Sequence, residues 1–289
     1  MSSPNLPDFD ALWDYAHPDQ TESKFREILL QFPEDNPAFL ELLTQIARTQ
    51  GLQHKFDHAH QTLDQVERRL GGVPSRPMVR YLLERGRVLN SSGKVEEAYP
   101  FFEEALELAK QLNEDFFAID ALHMLAILAP TEHSLTLNQQ AIELAESSHE
   151  ERARNWLGSL YNNTGWSCHD MGEYALALAI FKKAEAWQQS KGRVNETRLA
   201  RWCVARTLRS LARIEEALSM QMALQDELES AGESDGYVFE EIGECLLLLN
   251  RLEEARPYFL KTYALLTKDT WLVDKEPERL ARLKELGTD

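Results

Sequence analysis

The chain has 289 residues, 43% hydrophobic and 27% charged, with 31 Lys and Arg against 48 Asp and Glu for a formal charge of −17. Those proportions exclude a disordered, collagen-like or disulfide-scaffold chain, and Gly (13) and Pro (11) are too sparse for the turns of an all-β fold. An acidic chain repels nucleic-acid phosphates and anionic lipid, so neither is an expected partner.

In chain order, Met1–Asp19 carries Asp8, Asp10 and Asp14 but no Lys or Arg. It therefore lacks the basic and apolar regions of a secretory signal. No apolar run approaches the ~20 residues of a membrane span. Cys168, Cys203 and Cys245 lie far apart, each within a helical pattern. An odd count with no signal predicts reduced, buried thiols and a cytoplasmic location. Phe25, Ile28, Leu29 and Phe32 give one apolar face to a helix over about residues 19–31, and Pro33 and Pro37 separate it from the first repeat. Residues 1–35 read as an N-terminal segment with a capping helix.

From residue 36 the sequence repeats. Small residues inside helical runs fall at Ala47, Gly86, Ala126, Gly165, Ala205 and Gly243, in steps of 39, 40, 39, 40 and 38. Twelve residues beyond each stand Ala59, Ala98, Ala177, Ala217 and Ala255, and only the third unit departs. The flanks agree: Ala98-x3-Phe102-x2-Ala105, Ala177-x3-Phe181-x2-Ala184 and Ala255-x3-Phe259. Two antiparallel helices joined by a short turn approach closely where both carry small residues, and large residues one turn away fill the flanking space. Glu-Glu-Ala opens the second helix at Glu96, Glu215 and Glu253, where acid complements the positive end of the helix dipole. In the third unit the turn near Pro130 is predicted to be about four residues short, with a local irregularity. At the far end, Trp271, Leu272 and Val273 are expected to fold back on the last repeat; a partner docking site is the other reading. Pro277 then starts a second capping helix with a Leu280, Leu283, Leu286 stripe, over residues 271–289. Repeat arrays need such caps because a terminal repeat cannot bury its outer face alone.

Tyr161-x2-Thr164-Gly165-x2-Cys168 followed by Ala177-x3-Phe181-x2-Ala184, with equivalents elsewhere, resembles the tetratricopeptide repeat family. The resemblance covers residues 36–270 as six units. Their period of 38–40 exceeds the family's ~34, which predicts longer second helices or linkers. The resemblance implies an all-α fold, a right-handed superhelix of antiparallel helix pairs. The first helices would line a concave surface that in this family binds peptides or protein segments.

Helical spacing then selects the side chains expected on that surface. Arg87 and Asn90 come from the second unit, His123 from the third, Asn162, Trp166 and His169 from the fourth, and Trp202, Arg206 and Arg209 from the fifth. Thr44, Arg48, Leu83, Glu240, Glu244 and Leu247 share the same phase. The charged members sum to +2 within a −17 chain. Arg offers bidentate bonds to carboxylates, Asn a donor and an acceptor to backbone, and Trp rigid contact area. The expected function is a protein–protein interaction module that takes an acidic or carboxylate-ended segment. The alternative is a sensor of a small anionic ligand or signalling peptide. A structural reading is also open, in which these Arg pair with neighbouring Glu and the Trp are packing. Arg152 is expected in a linker, away from the groove.

Other chemistry is not expected. Arg198, Arg201, Arg206 and Arg209 around one helix suit RNA, but the flanking acid opposes it. The family's chaperone-tail clamp needs a Lys that no first helix here supplies. His54, His58 and His60 read as a solvated turn, not a metal site. Cys168-His169-Asp170 are neighbours on one helix and diverge by about 100° each, so they cannot converge as a triad. Without a phosphate loop or His-Glu-x-x-His, no enzyme activity, cofactor or metal is expected.

Overall fold

The computed structural model describes residues 8–288, which form helices and no strand. The chain divides into two compact units, one ending at Trp156 and one starting at Leu157. In the first, a 3-10 turn at Asp10–Leu12 precedes α1 (Pro18–Leu29), α2 (Pro37–Leu52), α3 (Phe56–Glu67) and α4 (Arg76–Ser91). Then come α5 (Val95–Leu112), α6 (Asp115–Leu128), α7 (Thr131–Ser147) and the short α8 (Glu151–Arg154). The second holds α9 (Leu157–Asp170), α10 (Tyr174–Ser190), α11 (Val194–Ser210) and α12 (Ile214–Ser230). It ends with α13 (Gly236–Leu248), α14 (Leu252–Leu266), α15 (Thr270–Lys275) and α16 (Pro277–Thr288). Helices pack mainly on their sequence neighbours, and α2 also lies on α4. The lengthened period resides in the helices: α10, α11 and α12 each have 17 residues.

The phase of the repeat is set by one turn geometry. Seven residues after the small residue of a first helix, the backbone enters the left-handed region at His54, Gly93, Gly172, Ala212 and Asn250, with φ of 58°, 84°, 79°, 57° and 59°. The next amide then donates to the carbonyl five residues back: Lys55 to Gln50, Lys94 to Leu89, Glu173 to Cys168, Arg213 to Leu208 and Arg251 to Leu246, at 2.9–3.0 Å. This closure caps the last carbonyls of each first helix. The third unit lacks it. Ala129 and Pro130 are extended, with ψ of 153° and 152°. They connect α6 to α7 directly, so the turn is two residues instead of three. The irregularity is as expected: α7 begins five residues after Ala126, against nine after the small residue in the other units, so four residues are missing, one from the turn and three from the end of α6. A proline without an amide hydrogen replaces the left-handed closure.

The small residues sit where two helices of a pair come closest, and which small residue is used depends on its partner. A Cβ added to Gly86 would stand 2.7 Å from the Phe102 ring, to Gly165 2.5 Å from Phe181, and to Gly243 2.8 Å from Phe259. All three rings are fully buried. Where the residue at the same position of the second helix is Leu63, Asn138 or Gln221, the small residue is Ala47, Ala126 or Ala205. Glycine therefore appears where a phenyl ring fills the space of the missing methyl.

Helices also flank the repeats at both ends. Phe25 of α1 is fully buried, and Leu280 and Leu283 of α16 are buried as α16 packs on α14. Of the Trp271-Leu272-Val273 run only Leu272 folds in. Trp271 is 58% and Val273 44% exposed, because α15 is a helix capped by Asp269, whose single turn turns one side inward.

Candidate functional site

In the second unit the first helices α9, α11 and α13 lie side by side and present one continuous face. Its centre is an aromatic ladder. The Trp166 and Trp202 rings are 6.0 Å apart, and Trp202 and Tyr237 6.3 Å. Trp202 Nε1 donates to the Tyr237 carbonyl at 3.1 Å, which fixes the indole. Trp166 is backed by the buried Phe181 ring at 5.3 Å and flanked by His169 at 5.1 Å. Beside Trp202 opens a pocket of about 430 Å³, walled by Leu199, Leu224, Leu228, Tyr237 and Val238. Arg198 and Glu233 stand at its rim, joined at 2.8 Å.

The charged part of this face is next to the ladder. Arg209 donates to both oxygens of Glu241, from Nε at 2.7 Å and from Nη2 at 2.9 Å. Arg206 Nε lies 3.1 Å from the same carboxylate, and its Nη1 donates to Ser210 Oγ at 2.7 Å. Two guanidinium groups thus share one carboxylate, which leaves a local excess of positive charge. Burial lowers the Arg206 pKa, Glu241 opposes that, and Arg209 adds to it; an Arg remains charged regardless. His169 Nε2 sits 3.0 Å from Ser210 Oγ. Burial, then Arg206, push its pKa down, favouring the neutral ring. Asn162 Oδ1 is 3.9 Å from Cys203 Sγ. Six of the sequence-selected residues, Asn162, Trp166, His169, Trp202, Arg206 and Arg209, therefore share this one face.

The other three are in the first unit. Arg87 bonds Glu84 Oε1 at 2.7 Å and also Asp120, so its guanidinium is engaged by two buried carboxylates. His123 lies 5.3 Å from the Trp156 ring, and burial lowers its pKa. Asn90 is half-buried. Sequence reasoning missed two further basic residues of this face. Arg80 is 3% exposed and bridges Asp10 and Glu41. Arg152 is not a bystander in a linker: it lies in α8, reaches Asp10 at 3.4 Å and stacks 4.0 Å from the Phe116 ring centroid. The one signal for its place is the acidic N-terminal segment, which needs basic partners somewhere.

Elsewhere, His54 occupies the left-handed turn position and His60 Nδ1 contacts Arg85 at 3.0 Å. Among the described residues no group of three His, Cys, Asp or Glu side chains is placed to hold a metal, and no helix is long and apolar enough to cross a membrane. All three cysteines are free and buried.

An ordered stack of helix pairs with a first-helix face is the architecture of an α-solenoid. The family model described as tetratricopeptide repeat matches residues 79–112 and 152–191. These two matches, together with the solved helical-repeat structures it is similar to, support the tetratricopeptide repeat family. No curated protein matches the sequence. Among solved structures it is similar to the apo form of RapI, with a TM-score of 0.73, 12% identity, and coverage of 89% of this chain and 73% of that one. The C-terminal part of a repeat-containing protein from Cytophaga hutchinsonii matches with a TM-score of 0.61 and 12% identity, over 92% of this chain and 97% of that one. A Rap protein complexed with Competence and Sporulation Factor matches with a TM-score of 0.50 and 16% identity, over 96% and 82%.

Proposed function

We propose that the chain is a non-enzymatic interaction module whose second unit binds an acidic or carboxylate-ended protein segment on the α9–α11–α13 face. One observation carries this reading: Arg206 and Arg209 converge on the single carboxylate of Glu241 beside the Trp166–Trp202–Tyr237 ladder. An incoming carboxylate meets a surplus guanidinium there without displacing the pair already formed. The pocket next to Trp202 is walled mainly by apolar side chains, which suits an apolar side chain of the same segment better than a small anion. A solved structure of similar fold is a Rap protein complexed with Competence and Sporulation Factor, which supports a ligand-binding role for the fold.

The test is fluorescence anisotropy with labelled acidic peptides and matched peptides carrying amides in place of carboxylates. Acidic peptides should bind, more weakly as salt rises, and Arg206→Gln should weaken them. Equal binding of the amide peptides, or loss of binding on a Lys182→Glu change of the exposed α10 surface with none on Arg206→Gln, would move the site elsewhere.

A further inference from the structure

The matching face of the first unit already has an occupant, the chain's own segment Asp8–Tyr15. Apart from a three-residue 3-10 turn it has no regular structure, and its backbone bonds are local, Leu12 to Phe9, Trp13 to Asp10 and His17 to Asp14. Side chains hold it to the repeats and to the α1 region. There Phe9 is buried edge-on to Phe32 at 6.1 Å, and Trp13 lies edge-on to Phe25 at 5.5 Å. Phe9 is therefore the hinge about which the rest of the segment lifts. Asp10 accepts both forks of Arg80, at 3.0 and 2.5 Å, and Arg152 at 3.4 Å. Burial works against the Asp10 charge, but Arg80, then Arg152 and Arg48, override it and hold the carboxyl below its usual range. Trp13 Nε1 donates to Gln45 Oε1 at 3.0 Å. Trp13 stacks on Tyr15 at 4.8 Å, and the Arg48 guanidinium lies 5.4 Å from both rings. The segment thus presents a carboxylate, an indole three residues on and a phenol two further, which is the side-chain set a bound peptide would use.

The fit is incomplete. Beneath the segment lies a cavity of about 120 Å³, bordered by Asp10, Tyr15, Arg48, Arg80 and Glu84. Glu84 is 2% exposed, and its Oε2 meets no protein donor. Tyr15 is 57% exposed.

We propose that this face is a second peptide site and that Asp8–Tyr15 is its resident, displaced by a partner segment with an acidic residue three positions before an aromatic one. The chemistry of the ligand is dictated by Arg80. A buried guanidinium fork is costly to leave unpaired, so whatever lifts Asp10 away must bring a carboxylate to the same place. A hydrogen-bond donor that also reaches Glu84 Oε2 gives the incomer an advantage over the resident. Tethering places the resident at an effective concentration on the order of millimolar, so it competes strongly with weak ligands and yields to good ones.

The probe is a labelled synthetic peptide with the sequence of residues 8–17, titrated into the full chain. Asp10→Asn with Trp13→Ala, which loosens the resident, should bind it about tenfold more tightly than wild type, as expected when a tethered competitor is released. Asp10→Asn alone, the milder change, should bind it more tightly than wild type by a smaller factor. In wild type labelled with fluorotryptophan, saturating probe should move the Trp13 resonance, identified by its absence from Trp13→Phe, to a solvent-exposed position. A peptide with Asn in place of its own Asp10 should not bind. Arg206→Gln and Trp202→Ala, on the other unit, should leave probe binding unchanged. No gain in either loosened variant, or binding that leaves the Trp13 resonance in place, overturns the proposal. Loss of probe binding in Arg206→Gln also overturns it, while leaving the second-unit reading standing.

Discussion

Gly165 gives the sharpest test of how the repeats are held together. A methyl there would stand 2.5 Å from Phe181 Cε1 and 2.8 Å from Cδ1 and Cζ. The ring has no free side to retreat to, being fully buried with Trp166 5.3 Å away. Gly165→Ala should gain about 1 kcal/mol of helix propensity and lose about 1–3 kcal/mol to overpacking. The net is a destabilisation of about 0–2 kcal/mol, against the usual benefit of replacing a mid-helix glycine. Gly165→Leu puts more atoms into the same space and should cost several kcal/mol, beyond the typical overpacking range. Combining Gly165→Ala with Phe181→Leu recreates the Ala47 and Leu63 pair of the first repeat. The coupling between them should then be favourable, within the ~0.5–3 kcal/mol range for contacting residues. Urea unfolding followed by circular dichroism and tryptophan fluorescence, over the four proteins of the cycle, measures it. If Gly165→Ala costs the same with and without Phe181→Leu, or Gly165→Leu is as stable as wild type, ring-in-place-of-methyl packing is not what selects glycine.

Thiol titration should find three free cysteines in denaturant and few in the native chain, since burial pushes the Cys203 and Cys245 thiols up to about 12; a disulfide by mass would contradict this. Burial holds His123 and His169 below their ordinary pKa, so on acidification the unfolded chain takes up protons first. Stability is therefore full above about pH 6.5 and falls below it, until the folded-state histidines are protonated too. His123→Gln with His169→Gln should flatten that slope in unfolding midpoints between about pH 8 and 5.5, and an unchanged slope would assign it to other groups. On the second-unit face, Arg206→Gln should reduce binding of an acidic peptide by roughly 2–5 kcal/mol if the contact is desolvated. Trp202→Ala should weaken the same peptide without altering its salt dependence in calorimetric titration; a changed salt slope would mean the indole acts through the Arg cluster.

Much of the fold was readable because its determinants are local and periodic. Gly165, Ala177 and Phe181 mark the approach of α9 and α10, and the left-handed residues Gly93 and Gly172 mark the turns directly. Ala212 and His54 occupy the same turn position without any compositional sign, since the closing hydrogen bond imposes the conformation and the side chain does not. The face was harder to read. Helical phase gathers Trp166, Trp202, Arg206 and Arg209 on one face, but a guanidinium's partner depends on which carboxylate the next repeat brings alongside. Arg80 lies six residues before Gly86, outside the phase used to choose groove residues, and its partner Asp10 comes from 70 residues away. No local pattern encodes such a contact.

The ion pairs show why net charge says little about the groove. Arg80 reaches Glu41 39 residues away, Arg87 reaches Asp120 33 away, Arg209 reaches Glu241 32 away and Arg282 reaches Glu244 38 away. Each separation is close to one repeat, so these pairs join a first helix to its counterpart in the adjacent repeat, or to the cap. Arginine on the first-helix faces is consumed in register, while Glu96, Glu97, Glu103, Glu104 and Glu107 of α5 stay exposed on a second helix. The acidic excess thus belongs to the second helices, where it is solvated. On the first-helix faces the balance is set pair by pair, and a site for an anion arises wherever a repeat supplies one Arg more than its neighbour has carboxylates. Around Glu241 that surplus exists. It is created by two Arg a turn apart on α11, which is why substituting Arg206, and not the better-paired Arg209, isolates the binding contribution from the stitching of the fold.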